Sequence, residues 1–537
     1  MEPIGKKLPL LGILAPFLAG TALRLWNLRD QILGGDETHA IRAALNFPLS
    51  KILVTYQVTD NCIPLTAFYK LFMIGGGHPG EMLFRLPVLL CGLAALLAMP
   101  AAFEGRLSHG TVLVYRWLLA ISPGLVLYSR IARSYMPMVL FSFGAVMAFE
   151  AWWRTRSHKS GAAYVILGAL AVWFHLGAGP IVAAPFLFAA IDALVRRENF
   201  GKDLRDLVFL GLALTTAFAL FLVPALASLL EVVTGKHIEQ SILGSTVLDV
   251  LRLQAGTAWG WLAVLFWLVV LAGMALLFRR DRRLALYTVT VVAGHVVGLL
   301  ILSPFGLASP VIFGRYLLPV LPFVLLWAAN AFLPVSVLLL LALLAGGPFA
   351  DPDFRRTSFL HHNDFVGFHR ARPPVSRDAV PAFYRGLHGE TVVEFPWFLA
   401  WDANRTFYLY QEVHRGRVMV SSPQRLLFVS PLALRNAVAP ETGAICRSGG
   451  RYLIVHRNPA REEDRFGPID PSIRRLLRES AAAFGDRLKK QWGPPAYADP
   501  VLRAWDLRTV CGAAQKAAPA TSANAATASP ARKLPGR

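Results

Sequence analysis

A few short stretches of the chain hold the residue types that could do chemistry. Asp36 and Glu37 stand side by side in Gly34-Gly35-Asp36-Glu37-Thr38-His39, just after the first apolar run. Two adjacent carboxylates at the end of a membrane helix are costly to desolvate, so they suit a cation, a metal or a proton-transfer role. The plainer alternative is a solvated loop start, or an acidic cap on the helix that follows. A second stretch, Ser129-Arg130-Ile131-Ala132-Arg133-Ser134-Tyr135, sets two arginines three residues apart, on one face if the segment is helical. Paired guanidiniums fit a phosphate; anchoring by snorkelling side chains is the alternative. His175, in Phe174-His175-Leu176-Gly177, and Arg315-Tyr316, in Phe313-Gly314-Arg315-Tyr316-Leu317-Leu318-Pro319, stand at other span ends. The histidine is either structural or functional. The arginine either holds an anionic headgroup or anchors its helix.

These residues must be positioned by membrane helices. The chain has 537 residues, 55% of them hydrophobic, and a formal net charge of +21. Its mean hydropathy is +0.48. A water-soluble globular chain, including a basic nucleic-acid binder, is ordinarily less apolar. Disorder throughout, a collagen-like repeat and a small disulfide scaffold are also excluded. A span needs about 20 mostly apolar residues to cross a hydrocarbon core of about 30 Å. Eleven runs are candidates: Leu8–Trp26, Phe84–Phe103, Thr111–Tyr128, Tyr135–Trp153, Ala162–Phe174, Pro180–Leu194, Leu207–Leu229, Ala258–Phe278, Leu284–Leu302, Leu317–Phe332 and Pro334–Leu344. The fold class expected is a multi-pass α-helical membrane protein of about 11 helices, followed by a C-terminal extracytoplasmic α/β domain.

Basic residues orient the helices. With the N-terminus in the cytoplasm, the inner segments hold Lys6 and Lys7, Arg106 and Arg116, Arg154, Arg156 and Lys159, Arg196, Arg197, Lys202 and Arg205, and Arg279, Arg280, Arg282 and Arg283. The outer loops are longer and carry fewer. An odd number of spans then puts the C-terminal domain outside. Lys6 and Lys7 before an apolar run also fit a signal peptide, but no small-residue cleavage site follows, so an uncleaved first helix is the expectation. The first outer loop, 27–81, is too long for a simple turn, and loops of that length are commonly functional or separately folded.

Taken in order, these features resemble the GT-C class of membrane glycosyltransferases, closest to the protein O-mannosyltransferase and aminoarabinose transferase branch. The resemblance covers roughly Leu8 to Leu344. It rests on GGDETHA at Gly34–Ala40 and on Pro64-Leu65 followed by the aromatic Phe68-Tyr69. Arg85-Leu86-Pro87 with Gly92, the Ser-Arg-x-Ala-Arg turn, and Phe313–Pro322 complete it. What the resemblance implies is transfer of a sugar from a polyprenyl-phosphate donor to an extracytoplasmic acceptor, with inversion. Asp36 would be the base on the acceptor hydroxyl, or would orient it, and Glu37, its catalytic neighbour, would support it or bind donor or acceptor. Arg130, Arg133 and Arg315 would bind the donor phosphate. Tyr69, Arg85, Tyr135, His175 and Tyr316 are further candidates. Many relatives carry an acidic residue directly after the second arginine of the turn; here Ser134 and Tyr135 stand there, and Asp60 is the candidate substitute. No cofactor is expected and no metal is indicated; metal dependence stays open, since the Asp36/Glu37 pair could hold a divalent cation in some members of the class. The partners implied are the lipid-linked donor, a lipid, glycan or protein acceptor, and membrane lipids, not nucleic acid. The location implied is a bacterial inner (plasma) membrane, in the cell envelope.

The expected domains are 1–345, a GT-C-like transmembrane catalytic domain; 346–512, an extracytoplasmic α/β domain; and 513–537, a disordered tail of Ala, Pro, Ser and Thr. Strand-like runs lie at Thr391–Phe395, Arg417–Val420, Tyr452–His456 and Val501–Trp505. Pro471–Trp492 reads as an amphipathic helix, with Ile473, Leu476, Leu477, Phe484 and Leu488 on one side. Were the Tyr452 and Val501 strands antiparallel neighbours, Cys446 before one would meet Cys511 after the other. A disulfide there is an expectation, two free thiols the alternative. Two other functions remain open: a transporter or flippase for lipid-linked sugars, and a non-catalytic envelope assembly protein. A transporter more often shows internal repeats and charges deep in its spans. No repeat is evident here, and the charges sit at the outer edge.

Overall fold

A computed structural model describes residues 10–26, 28, 37–56, 62–74, 81–229, 242–304, 307–348, 380–395, 418–420, 442–447, 450–457 and 471–517. The chain divides into two compact units, Met1–Ala379 and Val380–Arg537. The first unit opens with α1 (Leu10–Leu25), followed by three loop helices, α2 (Glu37–Asn46), α3 (Leu49–Leu53) and α4 (Ile63–Met73). Then come α5 (Glu81–Ala101), α6 (His109–Ile121), α7 (Pro123–Tyr128), α8 (Tyr135–Thr155), α9 (His158–Phe174), α10 (Gly179–Arg196) and α11 (Phe200–Leu222). The series ends with α12 (Gly244–Ala255), α13 (Gly260–Arg280), α14 (Arg282–Leu302), α15 (Pro310–Tyr316), α16 (Leu321–Ala329) and α17 (Leu333–Gly346).

Among the described residues, 6 helices are long and apolar enough to cross a membrane, or up to 7 if α15 and α16, with the short turn between them, form one span bent by 49°. The expected eleven are not reached among the described residues. The run Thr111–Tyr128 is broken, because Pro123 cannot continue α6 and instead opens α7. The runs that became α9 and α17 form helices of 17 and 14 residues. At 1.5 Å per residue the longer of these reaches about 26 Å, short of a hydrocarbon core of about 30 Å. A hydropathy window counts apolar residues and does not see where a proline ends the helix.

Helix ends and small residues set the packing. Ser108 accepts the Thr111 N–H at 3.2 Å to start α6, and Asp281 accepts the Leu284 N–H at 2.9 Å to start α14. The basic turns are cross-tied. Arg106 pairs with Asp281 at 2.7 Å and with Glu150 at 3.1 Å, while Asp192 takes Trp153 Nε1 at 2.7 Å and Arg196 at 3.0 Å. On α14, a Cβ at Gly294 or Gly298 would come within 2.9 Å of Ala184 or 2.7 Å of Pro180, so α10 and α14 pack nearly backbone to backbone. A Cβ at Gly273 would overlap the Trp327 carbonyl oxygen, which fixes α13 against α16 in the same way.

The second unit contains α18 (Ala382–Arg385), β1 (Val392–Phe395), β2 (Val418–Val420), α19 (Thr442–Arg447), β3 (Tyr452–His456), α20 (Pro471–Trp492), β4 (Tyr497–Ala498), β5 (Leu502–Asp506) and α21 (Leu507–Ala517). The sheet order is β2-β1-β3-β5-β4. β1 runs parallel to β2 and β3, whereas β5 is antiparallel to β3, with Tyr452 opposite Asp506. Val393, Phe395, Leu453, Val455 and Trp505 form one core with Ala481, Phe484 and Leu488 of α20. Alternate residues point the other way. On that face Tyr384 Oη donates to Glu394 at 2.8 Å and His456 Nε2 lies 2.7 Å from Glu394 Oε2, all buried. Because β3 and β5 are antiparallel, α19 before one and α21 after the other lie at the same end of the sheet. Cys446 and Cys511 are joined there by a disulfide, with Cα atoms 5.5 Å apart. α21 continues through Ala517, so the tail expected from Ala513 is helical for its first residues. Ala513, Ala514, Gln515 and Lys516 are good helix formers, and the first proline after them is Pro519.

Candidate functional site

Asp36 and Asp60 lie outside the described residues; the geometry around them begins with Glu37. Glu37 opens α2 and is only 4% exposed. Its Oε1 accepts the Ala132 backbone N–H at 2.8 Å. Arg85, fully buried in the second turn of α5, donates Nε to Oε1 at 3.3 Å and Nη2 to Oε2 at 3.5 Å. Arg85 Nη1 also reaches the Leu28 carbonyl at 3.4 Å. One carboxylate therefore fastens the start of the outer loop, the start of α5 and the turn between α7 and α8. Tyr69 plays a related part, since its hydroxyl donates to the Phe84 carbonyl at 2.8 Å and its ring packs edge-on against Phe84. It clamps α4 to the first turn of α5.

The turn 129–134 is not helical, so Arg130 and Arg133 do not share a helix face as their spacing predicts. α7 ends at Tyr128, and the Glu37 bond to Ala132 holds the following backbone in a bend. Arg130 is turned inward and 0% exposed. Its Nη1 donates to the carbonyls of Leu23 at 3.0 Å and Arg24 at 3.1 Å, in the last turn of α1, where carbonyls lack helical partners. Arg24 returns the contact. Its Nε donates to Ser129 Oγ at 3.1 Å, and Nη1 to the carbonyls of Gly20 at 3.0 Å and Ala120 at 3.2 Å. Gly92 makes this approach possible, because a Cβ there would collide with the Ser129 side chain. Arg24 was overlooked by motif reasoning, yet its signal is plain: a charge inside an apolar run must find acceptors.

Arg133 is buried as well, but it stands by a different partner. Its guanidinium carbon stands 5.9 Å from the centroid of Tyr135, and that of Arg315, arriving from α15, stands 5.8 Å from the same ring. Arg315 Nη1 donates to Tyr135 Oη at 3.1 Å. His175, between α9 and α10, lies 5.4 Å from Tyr135, and Tyr316 lies 6.0 Å from His175. His175 Nδ1 accepts the Gly177 N–H at 3.1 Å, so the neutral ring carries its proton on Nε2. Two more bonds seat Tyr316 and Arg315 from behind. His295 Nε2 meets the Tyr316 carbonyl at 2.8 Å, and Gln254 Nε2 donates to the Gly314 carbonyl at 3.1 Å. Segments far apart in sequence thus bring two guanidiniums, two phenols and an imidazole to one place. Such a set can neutralise and hydrogen-bond a compact oxyanion.

No protein-family model and no curated protein sequence matches the chain. Solved structures do. The apo crystal structure of ArnT from Cupriavidus metallidurans aligns with a TM-score of 0.56 at 15% identity, covering 92% of this chain and 98% of that one. The structure of ArnT from the same organism bound to undecaprenyl phosphate aligns with a TM-score of 0.53 at 15% identity, covering 85% and 95%. The Archaeoglobus fulgidus oligosaccharyltransferase complex with zinc and sulfate aligns with a TM-score of 0.46 at 14% identity, covering 83% and 68%. The chain is an integral membrane protein with the fold of ArnT, in agreement with the GT-C resemblance carried by its motifs.

Proposed function

We propose that this protein is a membrane glycosyltransferase that moves a sugar from a polyprenyl-phosphate donor to an acceptor at the extracytoplasmic face. The observation that carries this reading is the pair Arg133 and Arg315 flanking Tyr135. It is supported by a fold shared with ArnT, one structure of which holds undecaprenyl phosphate. In this reading the donor phosphate lies against Arg133 and Arg315, with Tyr135 and the Nε2 proton of His175 as hydrogen-bond partners. Negative charge grows on that phosphate as the sugar leaves, so fixed donors there stabilise the transition state more than the ground state. Arg130 keeps the turn in place, since its Nη1 already holds two carbonyls.

Asp36 is the proposed base. It takes the proton of the acceptor hydroxyl as the new bond to the anomeric carbon forms and the bond to the phosphate oxygen breaks. A single displacement of this kind inverts the anomeric centre. Glu37, held by Arg85 and the Ala132 N–H, positions the segment that carries Asp36. The charge bias of the loops supports an N-terminus in the cytoplasm and the second unit outside. The test is mass spectrometry of surface glycans and glycolipids from cells with the wild-type protein and with Asp36→Asn. Loss of a glycan species at normal protein level is expected. Full product from Asp36→Asn would remove Asp36 from the chemistry. Arg315→Ala should raise the donor concentration needed far more than the acceptor concentration, and unchanged donor dependence would remove the phosphate role.

A further inference from the structure

We propose that the second unit carries a separate binding site for an anionic sugar, in a cleft bounded by the loop before β1, the start of β3 and the first turn of α21. The cleft has a volume of about 320 Å³ and is lined by His388, Glu390, Thr391, Arg451 and Arg508, with Gly389 and Gly450 in its walls. Small-molecule sites begin at about 300 Å³, so the space suits a ligand of roughly monosaccharide size. No apolar side chain lines it, which disfavours a lipid tail and favours a hydroxylated, charged ligand.

The floor is fixed by the backbone. The Arg451 N–H donates to the Thr391 carbonyl at 2.6 Å, and the Leu507 N–H to the Arg451 carbonyl at 2.9 Å. Asp506 then orients the Arg451 side chain and the backbone that carries Arg508. Its Oδ2 pairs with Arg451 Nη2 at 2.6 Å, and its Oδ1 accepts the Arg508 N–H at 3.0 Å. Arg508 is exposed, and no described side chain forms an ion pair with its guanidinium. Asp506 therefore offsets Arg451, and the Arg508 guanidinium is left to meet an anion, with the His388 ring beside it as a hydrogen-bonding group. The opposite wall turns at Gly389, whose φ of +87° is a conformation L side chains rarely adopt, and where a Cβ would meet nothing within 4 Å. The turn is closed by the Glu390 carboxylate, which accepts the His388 N–H. A guanidinium fork suits a phosphate or carboxylate, while Glu390 and the Thr391 hydroxyl suit sugar hydroxyls. The site lies wholly within the second unit and does not depend on the phosphate role given to Arg133 and Arg315.

The test uses the full-length protein in detergent, titrated by calorimetry with glucose 6-phosphate, glucuronate and inorganic phosphate. Saturable binding of at least one of the two sugars is expected, weakened tenfold or more by Arg508→Glu and little changed by Arg315→Ala. Which sugar binds distinguishes a phosphate from a carboxylate as the preferred anion. Arg508→Gln, which removes charge without reversing it, should weaken binding less than Arg508→Glu. Because Arg508 is exposed, both variants should keep the wild-type circular dichroism. No saturable binding by either sugar, or binding indifferent to Arg508→Glu, overturns the site. Inorganic phosphate binding as tightly as glucose 6-phosphate overturns its assignment to a sugar.

Discussion

The bond between Glu37 and Arg85 offers the sharpest stability test. Arg85 is fully buried and Glu37 nearly so, and Glu37 also accepts the Ala132 N–H. Glu37→Gln keeps an acceptor for that N–H but removes the carboxylate charge that faces the guanidinium. Breaking a buried pair from one side costs about 3–5 kcal/mol. Glu37→Leu loses the acceptor as well, and an unsatisfied buried N–H adds about 1–3 kcal/mol. In a large unit each kcal/mol lowers Tm by roughly 2 °C, so drops of about 6–10 °C for Glu37→Gln and about 8–16 °C for Glu37→Leu are expected. The double variant Glu37→Gln/Arg85→Met removes both charges of the pair and should recover part of the loss, because the two positions are coupled. Thermal denaturation in detergent at a fixed scan rate measures all four proteins. A Tm for Glu37→Gln within 1 °C of wild type would refute the reasoning, using the same conversion of about 2 °C per kcal/mol. So would a double variant no more stable than Glu37→Gln.

Gly92→Ala should lower Tm by several degrees, because its Cβ would press on Ser129 Cβ from 2.6 Å and overpacking costs about 1–3 kcal/mol; an unchanged Tm would mean that the Arg24–Ser129 contact gives way freely. Replacing Cys446 and Cys511 by serine opens a loop of separation 65, for which chain entropy gives about 4 kcal/mol, and proteolysis of the second unit should quicken accordingly. Asp281 supplies a pH dependence. Burial opposes its ionisation, but the hydrogen bond from Arg106, the Leu284 N–H and the charges of Arg106 and Arg283 outweigh it and hold the carboxyl below its usual value of 3.8. A carboxyl depressed by folding stabilises above its unfolded pKa and loses that stabilisation as pH falls through the folded one. The Tm gap between wild type and Asp281→Asn should therefore be full at pH 6 and shrink once the pH drops below about 4.

Residue type made much of the candidate site legible. An Asp-Glu pair, two nearby arginines and an Arg-Tyr pair stand out in an apolar chain because desolvating charge is expensive. Their division of labour was not legible. Arg130 and Arg133 look equivalent at a spacing of three. They part because the turn between them is not helical, and its Ala132 N–H is held by Glu37, 95 residues away. The contacts of Glu37 with Arg85 and Ala132 are made across long stretches of chain, so no local pattern shows them. In the second unit the strand runs at Val392, Val418, Tyr452 and Leu502 follow local β-propensity, and Pro471–Trp492 follows its apolar period, so both were readable. The parallel placing of β1 between β2 and β3 depends on non-local pairing and was not.

The buried Arg24 also imposes a timetable on membrane insertion. Ser129 and the Ala120 carbonyl, which receive its guanidinium, lie 105 and 96 residues further along the chain. At roughly 5–20 residues per second, a ribosome delivers them about 5–20 s after Arg24 itself emerges. For that interval the first helix carries a charge whose only acceptors beyond its own backbone are water, headgroups or the insertion machinery. Its final depth and tilt are settled only when α6 and α7 arrive, so α1 is made well before the residues that seat it.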